Sequence, residues 1–216
     1  MSRTFLEQDG VTLIEQLVSL LLGSVLITSL YTYFRAELYR TASVESKTGT
    51  LEDARGAVDI MIHDLMNAGS WQNGSAPLEI GAGDDPEQDS DLVCNRVYAA
   101  SPGTIHIQMD LNGNSNCADT DPRENIRYEL ANPTGTCPGP QIIRRNGDCL
   151  VANVVPALPG KVFTYYDANG ADLGPNPARD AIKRVKIAFS VQVKNPDPNG
   201  SGNLTSTVLS SVEFRN

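Results

Sequence analysis

The pattern of apolar and polar positions along this chain changes twice, and each change marks a different kind of structure. From Val11 to Phe34 the residues are almost continuously apolar or small, interrupted by Glu15 and Gln16. A helix over that stretch is roughly 36 Å long, enough to cross a bilayer with some tilt. From Arg35 to Ala68 there is no proline, and Leu51, Ala54, Val58, Met61, Ile62 and Leu65 recur at steps of three and four. That spacing predicts a continuing helix with one apolar stripe. Asp53, Arg55, Asp59, His63 and Asp64 fall largely on the other side, with Arg55 and Asp59 spaced for an i,i+4 ion pair. Gly69 is the expected stop, while Gly49 and Gly56 lower helix propensity and are expected to mark a bend or local melting.

Beyond Gly69 the period shortens to two. Leu92–Tyr98, Thr104–Met109, Asn125–Leu130, Gln141–Arg145 and Lys161–Tyr166 are short strand candidates set between Gly, Pro and Asn clusters. The alternation is clearest over Arg184–Lys194, and Val208, Val212 and Phe214 repeat it at the end of the chain. The segment NPDPNGSGN joins these two, which predicts a final antiparallel hairpin with one face on the long helix. The expected fold class is therefore α+β: a long N-terminal helix, its first half transmembrane, against an antiparallel sheet. The expected division is a leader over 1–10, an apolar helix over 11–34, an amphipathic half over 35–69 and a β-rich head over 70–216.

Charge and cysteine content narrow the function classes. The 216 residues carry a formal net charge of −9, which does not suit a nucleic-acid receptor, because phosphate attraction supplies most non-specific affinity. Cys94, Cys117, Cys137 and Cys149 all follow the apolar helix, as expected of an exported head with two disulfides. Four cysteines allow three pairings. Cys94–Cys117 and Cys137–Cys149 are favoured because each closes a short loop in a strand-rich stretch. The two histidines, His63 and His106, are expected on solvated faces. No nucleophile elbow, P-loop, dinucleotide fingerprint or zinc-protease motif is present, so no catalytic residue and no required cofactor are expected.

The N-terminus carries the most specific signal. A polar leader ends at Gly10 and is followed by VTLIE and an unbroken apolar run. A carboxylate inside such a run is costly and normally needs a partner. Leader, glycine and glutamate together resemble the prepilin signal of type IV pilins and type II secretion pseudopilins. The cleavage after Gly10 that this resemblance implies would create an amine on Val11, four residues from Glu15. In the packed filament it also implies, the glutamate of one subunit could neutralise the amine of its neighbour, fixing register more than adding stability. The resemblance implies cleavage between Gly10 and Val11 by prepilin peptidase, methylation of Val11, and packing of the helix among other pilins or pseudopilins. It also implies an inner-membrane, single-pass precursor with its head in the periplasm, later displayed on a pilus. The bases Arg35, Arg40 and Lys47 after the helix lean the other way under the positive-inside rule, but a long exported domain crosses largely regardless of charge.

DIMIHDLMNAGSW at the helix end resembles PilW-type minor pilins, as do NIRYEL, QIIRRN and FTYYDANG in the same order. That resemblance implies the pilin-like fold and a structural subunit that primes or joins a type IV pilus. J-type minor pseudopilins of type II secretion share a similar junction and are the alternative.

One motif points elsewhere. Asp110, Asn112 and Asn114 match positions 1, 3 and 5 of a calcium loop, with Asp119 and Asp121 following. Ser115 stands where the loop glycine belongs, and Asp121 where a bidentate glutamate belongs. A weak calcium site and an Asx-rich turn braced by Cys117 are both open, the turn being favoured. A calcium-dependent adhesin or ligand-binding head is the corresponding second alternative.

Overall fold

The computed structural model describes residues 12–71, 94–114, 121–198, 200 and 202–214. Helix α1, Leu13–Asn67, is continuous over 55 residues, about 82 Å at the standard rise. Thr12 caps it, its hydroxyl oxygen accepting from the Glu15 amide at 3.3 Å. Neither Gly49 nor Gly56 interrupts it, because a lone glycine costs about 1 kcal/mol and long flanking turns carry the ladder across. The helix stops where Gly69 takes a positive φ of 75°. The chain is then stitched to the sheet, as the Gly69 amide donates to the Gln108 carbonyl and the Asp110 amide to Ser70, each at 2.9 Å.

The head is one antiparallel sheet of β1 (Val97–Ser101), β2 (Thr104–Gln108), β3 (Asn125–Ala131), β4 (Gln141–Arg145), β5 (Asp148–Pro156), β6 (Phe163–Tyr166), β7 (Arg184–Lys194) and β8 (Asn203–Glu213). Strands β1 to β5 are sequential neighbours; β5 then pairs β7. β5 meets Phe189–Val191 while β6 meets Arg184–Ile187, so both share one flank of β7. Along its other flank β7 pairs β8 in unbroken register from Arg184↔Glu213 to Lys194↔Asn203. The sheet curls until its ends approach. The Val162 and Phe163 amides donate to the Pro102 carbonyl at the β1–β2 turn. The Tyr165 hydroxyl lies 2.8 Å from the carbonyls of both Ser101 and Thr104, sharing its proton between them.

The final hairpin is as expected, and α1 lies against it and against β5, with Ala54, Val58, Met61 and Leu65 facing Val185, Ile187, Phe189, Val208 and Val212 in one core. Four sequence expectations are corrected. The first strand starts at Val97 rather than Leu92, and Leu92 itself lies outside the described residues. β5 was not expected; the positive φ values of Asn146 (50°) and Gly147 (87°) turn β4 back into it as a tight hairpin. His106 is buried rather than solvated, its ring 4.9 Å from that of Tyr98 and hydrogen-bonded to Asn125. Arg55 and Asp59 form no ion pair among the described residues.

Candidate assembly interface

The two halves of α1 meet different surroundings. Over Leu13–Phe34 the large side chains stand exposed, from 53% at Val18 to 76% at Leu13. This half is long and apolar enough to cross a membrane, as a single-pass anchor does. It is apolar all round, which in water would expose far more greasy surface than a soluble helix tolerates. Ser24, Thr28, Ser29 and Thr32 turn their hydroxyls back onto carbonyls three or four residues earlier, so these polar groups are satisfied within the helix itself.

Glu15 sits in the first turn, three residues after the Thr12 cap. There the unsatisfied amides and the positive end of the helix dipole favour a carboxylate. The spacing Thr12–Glu15 is that of a capping box. Gly10 and Val11, the expected cleavage pair, lie outside the described residues.

The second half is anchored by a polar contact that the periodicity placed on the wrong face. Asp64 was expected to point away from the apolar stripe; it is buried among Met61, Leu65 and Ala68. Its Oδ2 accepts from the Tyr128 hydroxyl at 2.5 Å and from Arg145 Nε at 2.9 Å. Helix, β3 and β4 are thus tied at one carboxylate. Burial first, then the hydrogen bond and charge of Asp64, push the Tyr128 phenol well above its usual range. Burial works against the Arg145 charge, yet its bond to Asp64 raises its pKa on balance. His63, one residue earlier, is exposed as expected, 3.7 Å from Asp64 Oδ1.

At the far end of β2 the Asp110–Asn114 turn closes on itself. Asp110 Oδ1 accepts from the Gly113 amide at 2.7 Å, and Asn112 Oδ1 from the Asn114 amide at 2.8 Å. Its anchor is Glu124, fully buried, which accepts from the Leu111 and Asn112 amides at 2.8 and 2.6 Å and from Asn112 Nδ2 at 2.9 Å. Glu124 had no place in the expected pattern, because no spacing rule ties it to residues 12 positions earlier. Asp121 directs both oxygens to Arg123, whose hydrogen bond is the main cause of an Asp121 pKa lowered to about 2. Among the described residues no group of three His, Cys, Asp or Glu gathers as a metal site; Asp119 and Cys117 lie outside them.

Cys137 and Cys149 form a disulfide with Cα atoms 5.9 Å apart, fixing the β3–β4 loop to the start of β5. Gly139 makes that loop possible, since a Cβ there would stand 2.5 Å from Asn153 Cα. Cys94 is also disulfide-bonded, while its expected partner Cys117 is outside the described residues. No family model, curated protein or solved structure matches this chain.

Proposed function

We propose that this protein is a minor pilin, a structural subunit that primes or is incorporated into a type IV pilus. It acts by helix packing and head contacts and not by catalysis. The observation that supports this most is the exposed apolar half of α1 with Glu15 in its first turn, continuous with a half that is locked onto a disulfide-bearing head. A surface apolar all round is satisfied by lipid before assembly and by neighbouring helices afterwards. The precursor is processed between Gly10 and Val11 by prepilin peptidase, and the new Val11 amine of one subunit meets Glu15 of another. In that environment a carboxylate without a partner is strongly penalised.

The test replaces the native copy by Glu15→Ala in cells. The variant is expected at wild-type level in the inner membrane, with its head in the periplasm, but recovered with partner pilins at about a tenth of the wild-type yield. Equal recovery would sink the role assigned to Glu15. Deletion of the protein is expected to remove surface pili and leave protein secretion intact. The opposite outcome would make it a pseudopilin of a secretion system.

A further inference from the structure

Two pockets of about 240 Å³ share Lys183, and their described linings differ in charge. One holds Lys183 and Arg184 against Asp167 and Glu213, with Arg184 bridged to Glu213 at 3.9 Å. The other is lined by Trp71, Arg96, Arg179 and Lys183, with Asp180 as the one acidic side chain among its described lining residues. Among those described residues three cations face one carboxylate, in a chain of net charge −9.

These cations are placed by the fold. Arg96 stacks over Phe214, its Cζ 5.6 Å from the ring centroid. The bare backbone of Gly69 leaves it room, since a Cβ there would come within 2.7 Å of Arg96 Nε. Arg179 lies 5.1 Å over the Tyr98 ring. Lys183 is held at the pocket by its own backbone, its carbonyl accepting from the Phe214 amide at 2.9 Å. Among the described residues neither Arg96 nor Lys183 has a carboxylate within 4.0 Å. Both are half-buried, so part of their hydration is already lost.

We propose that this pocket binds a carboxylate, presented as an acidic side chain by a partner protein. Arg96 and Lys183 take the charge, and the stem of the side chain lies on the Trp71 indole. A guanidinium already stacked on a ring loses little freedom when it grips a carboxylate. The pocket has room for one side chain rather than a cofactor-sized ligand. The indole wall gives an apolar stem a surface that a bare inorganic ion would leave uncovered. The inference stands apart from the pilus reading, because the pocket is on the head and away from the exposed half of α1.

Trp71 is the chain's only tryptophan, so its emission reports on the pocket directly. The experiment titrates the full chain in zwitterionic micelles with a capped Asp/Glu–Gly–Ser peptide, its Asn/Gln counterpart, and inorganic phosphate. The acidic peptide is expected to give a saturable change in Trp71 emission that weakens steeply with added salt. Affinity is expected to fall at least about tenfold in the Arg96→Gln, Lys183→Gln double variant and to stay within about twofold in Arg184→Gln, whose charge is already paired. Lys183→Gln alone leaves the Arg96 stack in place, and a several-fold loss is expected of it, which keeps the test open should the double variant fail to fold. No saturable signal, an equal response to the Asn/Gln peptide, or undiminished binding in the variants would overturn the proposal. Phosphate binding as tightly as the peptide would overturn it too, in favour of a free-oxyanion site.

Discussion

The first and second halves of α1 share one hydrogen-bond ladder but not one source of stability. In Leu13–Phe34 no side chain is buried, and the helix there draws no stability from the core of the head. In Ala54–Leu65 the same helix contributes fully buried Met61 and Leu65 to the core and a buried carboxylate to the sheet. The contrast teaches that helix length is not a measure of fold here. The head ends where burial ends, well inside the helix, and what lies beyond adds nothing to its core.

The sharpest way to break that comparison is to shorten one side chain in each half. Met61→Ala is expected to destabilise the head by about 2–5 kcal/mol, the usual range for a fully buried residue of this size. Leu21→Ala in the exposed half is expected to leave it within about 0.5 kcal/mol. Denaturant unfolding of the full chain in micelles, followed by Trp71 emission, reads both. A shared loss would show that the head draws on the whole helix.

Next in size is the polar anchor. Asp64→Asn is expected to cost about 1.5–3 kcal/mol, because it leaves Arg145 half-buried without its counter-charge. Asp64 and Arg145 replaced together should cost less than the sum of the single changes, as the cycle of double variants would measure. Strict additivity would show the pair to be a bystander.

The smallest effect is expected from alkali. The Tyr128 phenol is raised by burial and by Asp64, and the Tyr165 phenol by burial. A group whose pKa is raised on folding contributes stability in full below its unfolded value, about 10, and loses it as pH climbs toward the folded one. Tyr128 and Tyr165 should therefore resist ionisation above pH 10 until the head unfolds. Absorbance near 295 nm during a pH titration follows this, and seven independent, reversible ionisations would contradict it.

How much of this was legible follows the reach of each signal. Turn clusters on either side located β4 to the residue, and period-two alternation located β7, since alternation over Arg184–Lys194 is decided by one buried face. β5 was missed although Asn146–Gly147 stands between two apolar runs, because Asn153 breaks the alternation. It takes a positive φ of 56° beside a register shift against β4, so β5 does not read as a regular strand. Asp64 was misplaced for a different reason. Helical periodicity sorts side chains by polarity, and nothing within one turn announces a tyrosine and an arginine 64 and 81 residues away. His106 failed likewise, its cover being supplied by Tyr98 and, across that ring, Arg179. Of the candidate residues, the place of Glu15 in the first turn of α1 was legible because that signal is local. Glu124 was not, since its role is to collect amides from a turn elsewhere in the chain.

The unbroken helix also has a mechanical meaning. From Leu13 to Asn67 the helical ladder is unbroken, and its last turns are held to the sheet by Asp64 and just beyond them by the Gly69 amide. Such a rod behaves as a drive shaft without a universal joint. Each residue advances the helix by about 1.5 Å and turns it by about 100°. Through that ladder the azimuth of Glu15 about the helix axis is tied to the bearing of the head, so a turn at the Glu15 end is passed along the helix toward it.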